Sequence, residues 1–342
     1  MAEPAPALQT RFSKDYGLRY PFACAGLAFA GTTPELAIAV SNAGGIGAIG
    51  IGKLPPPAAA AMLSAYRGAA QGPINLNFIT IFTEDAHIDM CCAEKPEVVS
   101  FHWGHPKKAW IEQLQAAGIK VWEQVGSKDM AQAAIDDGID ALIVQGTEAG
   151  GHNYGTLPLF VQLPAIRDAF PQAMILAAGG IMDARGVVAA LALGADGVWV
   201  GTRLIATQEA NIAPDYKAKL VAASGEETTL SSLFGGDTAD FNPMRLLKNQ
   251  IVQDYWGRES EAPSSPEGQP VIGEMMIGDM TLPIQHFSNL LPMGNASGDV
   301  EQMPLLAGQG VGQVKDLPPA AQVVEDMMRG AADLLRRMGE PE

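Results

Sequence analysis

The chain has 342 residues, of which 47% are hydrophobic and 18% charged, and its formal net charge at pH 7 is -16. This length and composition exclude a disordered chain and fit a soluble globular enzyme with one large core and a smaller appendage. The acidic balance, with no Lys/Arg cluster, argues against nucleic acid and membrane surfaces as partners, and we interpret it as a contribution to solubility.

The first two-thirds of the chain alternates apolar strand-like runs with Ala/Leu-rich helix-like runs. The predicted strands cover residues 22–25, 46–51, 74–81, 98–102, 120–124, 141–145, 175–178 and 197–200. The predicted helices include residues 34–42, 56–67, 106–117, 128–137 and 184–193. The segment Thr32-Thr33-Pro34-Glu35 offers the first helix a cap, a first-turn proline and an early acid. Eight strands predict an α/β fold, a (β/α)₈ TIM barrel, with an open doubly wound sheet as the less favoured alternative.

The alternation ends after about residue 205. Residues 235–310 are rich in Met, Pro and Gly and contain few β-type runs, so they are expected to be irregular. An amphipathic helical pattern returns at 318–338. We therefore predict a barrel over 1–207, a partly helical substrate-capping domain over 208–306, and a C-terminal segment, 307–342, whose helix packs back on the barrel.

The cysteines and the apolar segments bear on the cell compartment. Cys24, Cys91 and Cys92 form no disulfide framework and lack the further ligands of a zinc site, which indicates reduced thiols and no metal site. No basic segment followed by an apolar one marks a secretory signal at the N-terminus. The longest apolar stretch, 187–200, is interrupted and too short to span a bilayer. We expect a cytoplasmic protein.

Glycine-rich loops follow the last three predicted strands, at the end of a barrel where function is found. They contain Gly150-Gly151, Gly179-Gly180 and Gly201-Thr202. Their backbone amides and a threonine hydroxyl can donate to a phosphate. His152 follows the first glycine pair and can transfer a proton near neutral pH, so we predict that it is catalytic beside a phosphorylated cofactor. Rossmann and triphosphatase fingerprints are absent from the sequence.

Other polar or polarisable residues also lie near strand ends, and several of them have two interpretations. They are Asn75, Asn77, His102, Glu123, Gln124 and Gln145. Asn77 lies in an apolar strand and needs a hydrogen-bond partner, which is either a ligand or the backbone. His102 is either a second active-site donor or a structural histidine, and Glu148 either orients His152 or caps the next segment. The methionines Met275, Met276, Met280, Met293 and Met303 either line a substrate cavity or fill a core.

Several longer segments together resemble one family. These segments are residues 33–37, 39–47, 100–104, 145–152, 177–181, 190–203 and 308–312. The chain is similar in them to the FMN-dependent nitronate monooxygenases, formerly called 2-nitropropane dioxygenases. The sequence departs from that family at Gly26-Leu27, at Gln124, where some relatives carry lysine, and at Asn153-Tyr154-Gly155, and residues 237–302 match little of it.

The resemblance implies a barrel with FMN at its mouth and a capping substrate domain. It places His152 on the catalytic histidine of the family. It places Ala149, Gly150 and Gly151 beside the flavin, and Ala25, Gly26 and Leu27 next to the ring. It also implies a phosphate cradle of Gly179, Gly180, Gly201 and Thr202, and bonds from Asn77, Gln124 and Gln145 to the isoalloxazine or ribityl chain.

The expected activity is oxidation of alkyl nitronates or nitroalkanes by FMN and dioxygen, giving a carbonyl compound and nitrite. The alternative is an FMN-dependent NAD(P)H oxidoreductase of the enoyl-acyl-carrier or quinone reductase type. A non-catalytic flavin or phosphate carrier is a third possibility, of a different class. The sequence leaves the small-molecule substrate, the use of NAD(P)H and the oligomeric state open.

Overall fold

The structure, a computed structural model, describes residues 8–27, 31, 33–236, 243–277 and 280–339. The strands within these ranges are β1 (Phe22–Cys24), β2 (Gly47–Gly50), β3 (Ile74–Ile79), β4 (Val98–His102), β5 (Lys120–Val125), β6 (Ala141–Gln145), β7 (Gly151–His152), β8 (Met174–Ala178), β9 (Gly197–Val200), β10 (Thr228–Ser231), β11 (Met244–Leu247), β12 (Val271–Ile277), β13 (Met280–Gln285) and β14 (Ser297–Gly298). The helices are α1 (Arg11–Asp15), α2 (Pro34–Ala43), α3 (Pro56–Ala69), α4 (Asp85–Glu94), α5 (Lys108–Ala116), α6 (Lys128–Asp136), α7 (Leu159–Ala169), α8 (Ala184–Ala192), α9 (Thr202–Ile205), α10 (Pro214–Ala222), α11 (Gln250–Asp254) and α12 (Ala320–Gly339).

Eight parallel strands form a closed ring. Their order is β1-β9-β8-β6-β5-β4-β3-β2, and a parallel bridge between Ala23 and Ile46 joins the two ends. The predicted (β/α)₈ barrel is confirmed, and the open doubly wound sheet is wrong. The third strand ends at Ile79, two residues earlier than predicted, because the chain turns into a 3₁₀ helix over Thr80–Phe82.

The lower end of the barrel is closed by aromatic side chains. Helix α1 places Phe12 against the Trp122 ring, with 5.6 Å between ring centroids. The Trp122 indole N–H donates to the Tyr16 hydroxyl across 2.7 Å. These rings continue the apolar cluster inside the barrel, which includes Val98 and Leu176. With the interior filled below by described residues, the upper end, where the strands have their C-termini, is the open end of the barrel for a ligand.

Most of the barrel helices lie where the sequence predicts them, but two were not identified. Helix α4 has no clear apolar face, and α7 contains Pro164, which weakens its helical pattern. Helix α2 begins at Pro34 with Thr33 as N-cap and no capping side-chain bond, and Thr32 lies outside the described residues. Helix α12 packs on α2 and α8.

Two small antiparallel sheets lie beside the barrel among the described residues; β7 comes from the loop after β6, and the other strands, with α10 and α11, follow the barrel in the chain. One has the order β10-β11-β7 and the other β13-β12-β14. The expectation of few strands between 235 and 310 is therefore wrong. The strands were missed because Gly273, Pro283 and a register shift between Val271 and Gly273 interrupt the alternation that marks a strand. Residues 237–242 of the predicted cap lie outside the described residues.

Within the described ranges, no helix combines the length and the apolar character needed to cross a membrane.

Candidate active site

One cavity of about 800 Å³ lies at the C-terminal ends of the barrel strands. Its size is at the upper end of the 300–1,000 Å³ that small-molecule sites typically have. All of the site residues predicted from the sequence line it: Ala25, Gly26, Leu27, Asn77, Gln124, Gln145, Ala149, Gly150, Gly151, His152, Gly179, Gly180, Gly201 and Thr202. The barrel thus brings together residues that are up to 177 positions apart in the chain (25 to 202).

The loop that carries His152 is held from two sides. The Gln145 side-chain amide, at the end of β6, donates to the His152 carbonyl oxygen across 3.0 Å. On the other side β7 pairs with β11, with His152 opposite Met244 and Gly151 opposite Arg245. The Arg245 Nε–H also donates to the Thr147 carbonyl oxygen across 2.9 Å. The backbone at His152 is therefore fixed by both the barrel and the cap.

Glu148 acts as a cap for α7. Both of its carboxylate oxygens lie 3.0–3.1 Å from the Leu159 amide nitrogen, the first residue of that helix. A carboxylate at a helix N-terminus satisfies an amide that has no partner within the helix. Of the two roles that the sequence left open for Glu148, the structure shows capping.

The glycine loops make room for close backbone packing and for a ligand. A Cβ on Gly150 would lie 2.6 Å from the Gly308 amide nitrogen, which is closer than real Cβ contacts. Gly179 and Gly180 have φ values of +114° and +68°, a region that favours glycine. The Thr202 hydroxyl oxygen accepts from the Gly308 amide at 3.0 Å, which leaves its own hydrogen for donation.

Two buried polar atoms in the cavity wall have no hydrogen-bond partner among the described residues. They are Gln145 Oε1 and His102 Nδ1. Leaving such an atom unpaired costs about 1–3 kcal/mol, so their presence in a cavity wall indicates a polar ligand. The Asn77 amide nitrogen already donates to the Ser100 hydroxyl at 2.7 Å. The unpaired atoms and the glycine loops fit the mixed polar and phosphate-bearing character of FMN.

His102 lines the cavity and is neutral near pH 7. Burial of the ring lowers the pKa of His102 to about 4, and a hydrogen bond with the Phe78 backbone opposes this shift only partly. A neutral imidazole has one donor and one acceptor nitrogen. The unpaired Nδ1 of His102 favours the interpretation in which this side chain contacts a ligand.

Trp103 is a cavity residue that sequence reasoning did not single out. Its ring centroid lies 3.7 Å from that of His152, with 31° between the planes. The Phe82 ring meets the Trp103 ring nearly edge-on at 5.9 Å, and the Lys53 ammonium lies 4.4 Å from the Phe82 ring centroid. The motif at 100–104 contains Trp103, but no local pattern shows that this ring would reach a histidine 49 positions later.

The cap side of the cavity is mainly apolar. Met276, Met280 and Met293 line it, whereas Met275 and Met303 fill a separate small core of the cap. The five methionines thus divide between the two roles that the sequence left open. Among the described residues that line the cavity, Lys53 is the one side chain with a permanent formal charge.

Glu123 and Asn75 do not line the cavity. Glu123 points outward from β5, where His105 Nδ1 lies 2.9 Å from its carboxylate and His105 Nε2 lies 3.1 Å from Asp137. Burial raises the pKa of Glu123 to about 7, and the bond from His105 opposes this shift. Asn75 is fully buried, and both of its side-chain polar atoms are unpaired among the described residues. Of the two polar residues that the sequence places near the end of β5, Glu123 and Gln124, only Gln124 lines the cavity.

The barrel carries glycine loops and a histidine around one cavity at its C-terminal rim, and the family match that accompanies this site makes the protein a flavin-dependent oxidoreductase. Residues 79–330 match the family model described as nitronate monooxygenase, and the chain belongs to this family. It is 29% identical over 360 aligned positions to a nitronate monooxygenase of Pseudomonas aeruginosa, covering 91% of this chain and 96% of that protein.

Relatives with other activities are equally similar. An octahydro-indene-carboxyl-CoA dehydrogenase of Rhodococcus jostii is 27% identical, with 97% of each chain covered. The solved structure of FabK from Thermotoga maritima superposes with a TM-score of 0.80 at 30% identity, covering 96% of this chain and 98% of that one. The family therefore includes both oxygenases and reductases, and similarity at this level does not select a substrate.

Proposed function

We propose that this protein binds FMN in the cavity and oxidises alkyl nitronates and nitroalkanes with dioxygen, giving a carbonyl compound and nitrite. The observation that carries the proposal is the position of His152. This histidine lines the same cavity as all three glycine loops and is fixed by Gln145 and β11.

The cavity residues divide into groups by their chemistry. The amides of Gly179, Gly180 and Gly201 and the Thr202 hydroxyl supply donors for the FMN phosphate. Gln145 Oε1 gains a partner from the flavin, as do Asn77 and Gln124. The segments 25–27 and 149–151 lack bulky polar side chains and supply flat contact surfaces for the ring. Bound FMN supplies the electron acceptor, which no side chain of the protein can replace.

His152 transfers the proton. With a nitroalkane, the Cα–H bond breaks, its electron pair stays on the substrate as the nitronate, and the proton goes to an imidazole nitrogen. With a nitronate, no proton has to be removed, and the N–H of a neutral His152 imidazole donates a hydrogen bond to a nitronate oxygen. The apolar cap side of the cavity excludes water from both steps.

The proposal is tested with anaerobic stopped-flow spectroscopy of the purified yellow protein. Mixing with a nitronate such as ethyl nitronate should bleach the flavin absorbance rapidly, and mixing with NADH or NADPH should not. The variant His152→Asn should retain FMN, but nitroethane should reduce its flavin slowly. Rapid bleaching by a pyridine nucleotide and none by the nitronate would overturn the proposal.

The reductase alternative has specific support. The cavity of about 800 Å³ with methionines on its cap side has room for a substrate much larger than a small nitroalkane. FabK enoyl reductase from Thermotoga maritima is also a structural relative at 30% identity. In that case NAD(P)H would reduce the flavin and an enoyl thioester or quinone would reoxidise it. The same stopped-flow experiment separates the two functions, and a carrier without catalysis would give bound FMN and no bleaching by any donor.

A further inference from the structure

The backbone at Trp103 has a left-handed conformation. Its φ is +59°, a value that is uncommon for residues other than glycine and a genuine outlier for a bulky side chain. Such strain persists only where the surrounding structure imposes it, and it is concentrated at functional sites. The strain at Trp103 therefore requires an explanation in its contacts.

The turn around Trp103 is held by one hydroxyl group. Thr80 Oγ1 lies 3.0 Å from the His102 carbonyl oxygen and 2.9 Å from the Gly104 carbonyl oxygen, which flank Trp103 on both sides. Gly104 has a φ of +117° and completes the turn. These contacts fix the backbone so that the indole points to the cavity, where the Trp103 side chain is 2% exposed.

The indole meets His152 with its face. The two ring centroids are only 3.7 Å apart and the planes are tilted by 31°, so the imidazole lies over the indole face in a tilted stack. The Phe82 ring supports the indole edge-on at 5.9 Å and 72°. A cation over the face of an indole is attracted by the electron density of the ring. The arrangement therefore suits an imidazole that becomes positively charged.

We propose that Trp103 is a positioning residue that fixes the imidazole of His152 by stacking and stabilises the imidazolium formed when His152 takes the substrate proton. This inference rests on the proposed function. In the step concerned, the Cα–H bond of a nitroalkane breaks, its electron pair stays on the substrate, and the proton and its charge move to the ring that lies on the indole. The left-handed backbone at Trp103 is therefore needed to place the indole against the His152 ring.

The proposal distinguishes two substrates of the same site. A neutral nitroalkane needs His152 as a base, whereas its nitronate has already lost the proton. Trp103→Leu should therefore slow anaerobic flavin reduction by nitroethane at least tenfold, while reduction by ethyl nitronate changes less than threefold. Trp103→Phe keeps an aromatic face and should recover a substantial part of the nitroethane rate. Trp256→Leu, which removes an exposed tryptophan away from the cavity, is the matched control and should change neither rate.

A second readout does not depend on turnover. The holoprotein has five histidines, so the ring protons of His152 can be assigned by NMR from the signal that His152→Asn removes. The Trp103 ring current should shift these protons upfield in the parent protein. Trp103→Leu should move them downfield, Trp103→Phe should move them less, and Trp256→Leu should leave them in place.

Equal slowing with both substrates in Trp103→Leu, or an unchanged His152 signal, would overturn the inference. If neither nitroethane nor its nitronate reduces the flavin of the parent protein but the His152 signal shifts as expected, the proposed function fails while the stacking role survives. If Trp103→Leu does not fold, Trp103→Phe carries the test. A Trp103→Phe protein with parental nitroethane kinetics and an unshifted His152 signal would then contradict the inference.

Discussion

Gln145 connects the end of strand β6 to the candidate catalytic residue, because its side-chain amide donates to the backbone carbonyl of His152 across 3.0 Å. The other side-chain atom, Oε1, is buried without a partner among the described residues. Asn153 makes a second connection from the following residue, donating to the Gly146 carbonyl oxygen at 3.1 Å. The loop therefore has a fixed shape before a ligand binds, and Gln145 Oε1 is an acceptor that has no donor among the described residues.

Replacing Gln145 should weaken FMN binding. Gln145→Leu removes both the bond to the His152 carbonyl and the unpaired acceptor, and losing such buried bonds typically costs about 1–3 kcal/mol. We expect the dissociation constant for FMN to rise roughly tenfold to a hundredfold, measured by fluorescence titration of the flavin-free protein. Gln132→Leu, a change of the same type on the exposed surface of α6, should leave the constant unchanged. An unchanged constant in Gln145→Leu would show that Oε1 does not serve the cofactor.

A methyl group on Gly150 should disrupt the loop. In Gly150→Ala the Cβ would meet backbone atoms of Ala307 and Gly308, so no side-chain rotation can relieve the contact. We expect a loss of about 1–3 kcal/mol in the free energy of unfolding, measured in urea, together with weaker FMN binding. The control is Gly68→Ala, on the exposed surface of α3 with no atom within 4 Å of the added Cβ. This variant should gain about 0.5–1 kcal/mol. Equal stability of the two variants would contradict the close packing of residues 307–308 on the loop.

The stability of the protein should fall in weak acid partly because of His102. Burial lowers the pKa of His102 in the folded protein to about 4, against an ordinary value of 6.5. Between these two pH values the unfolded chain binds the proton and the folded protein does not, so this contribution is fully present above pH 6.5 and is lost as the pH falls toward 4. His102→Gln should therefore lose less stability than the parent between pH 7.5 and pH 5 in urea unfolding. If the difference between the two proteins is the same at both pH values, His102 does not titrate as described.

Lys53 should favour anionic substrates. It is the one permanently charged side chain among the described cavity-lining residues of a protein with a net charge of -16, and its ammonium lies over the Phe82 ring. Lys53→Met should raise KM for ethyl nitronate about threefold to tenfold, equivalent to about 1 kcal/mol for a partly exposed charge, while KM for neutral nitroethane stays the same. Lys53→Arg should behave like the parent, and added salt should reduce the difference. An equal rise in KM for both substrates would indicate a change of shape rather than of charge.

The barrel and the identity of most cavity residues could be predicted from the sequence, since they depend on local patterns. Strands β6 and β8, for example, are short runs buried along their whole length, and a glycine follows each of them directly. The geometry of the closed barrel then brings all strand C-termini to one rim. Side-chain parity explains why Glu123 does not line the cavity, because its neighbour Gln124 points inward and Glu123 therefore points outward.

The cap and the surroundings of His152 were decided by contacts between distant residues. The two residues of β7 pair with β11, and residues 307–310 cover the glycine loop, so no short window contains either pattern. The left-handed turn at Trp103 depends on the Thr80 hydroxyl, which lies 23 residues earlier (103 − 80). Sequence alone thus determined that a barrel with a histidine at its rim would form, because strand burial and glycine flexibility are properties of neighbouring residues. Only the tertiary structure decided that the His152 ring lies against Trp103, because this ring contact and the strained backbone at Trp103 form only when segments distant in the chain pack together.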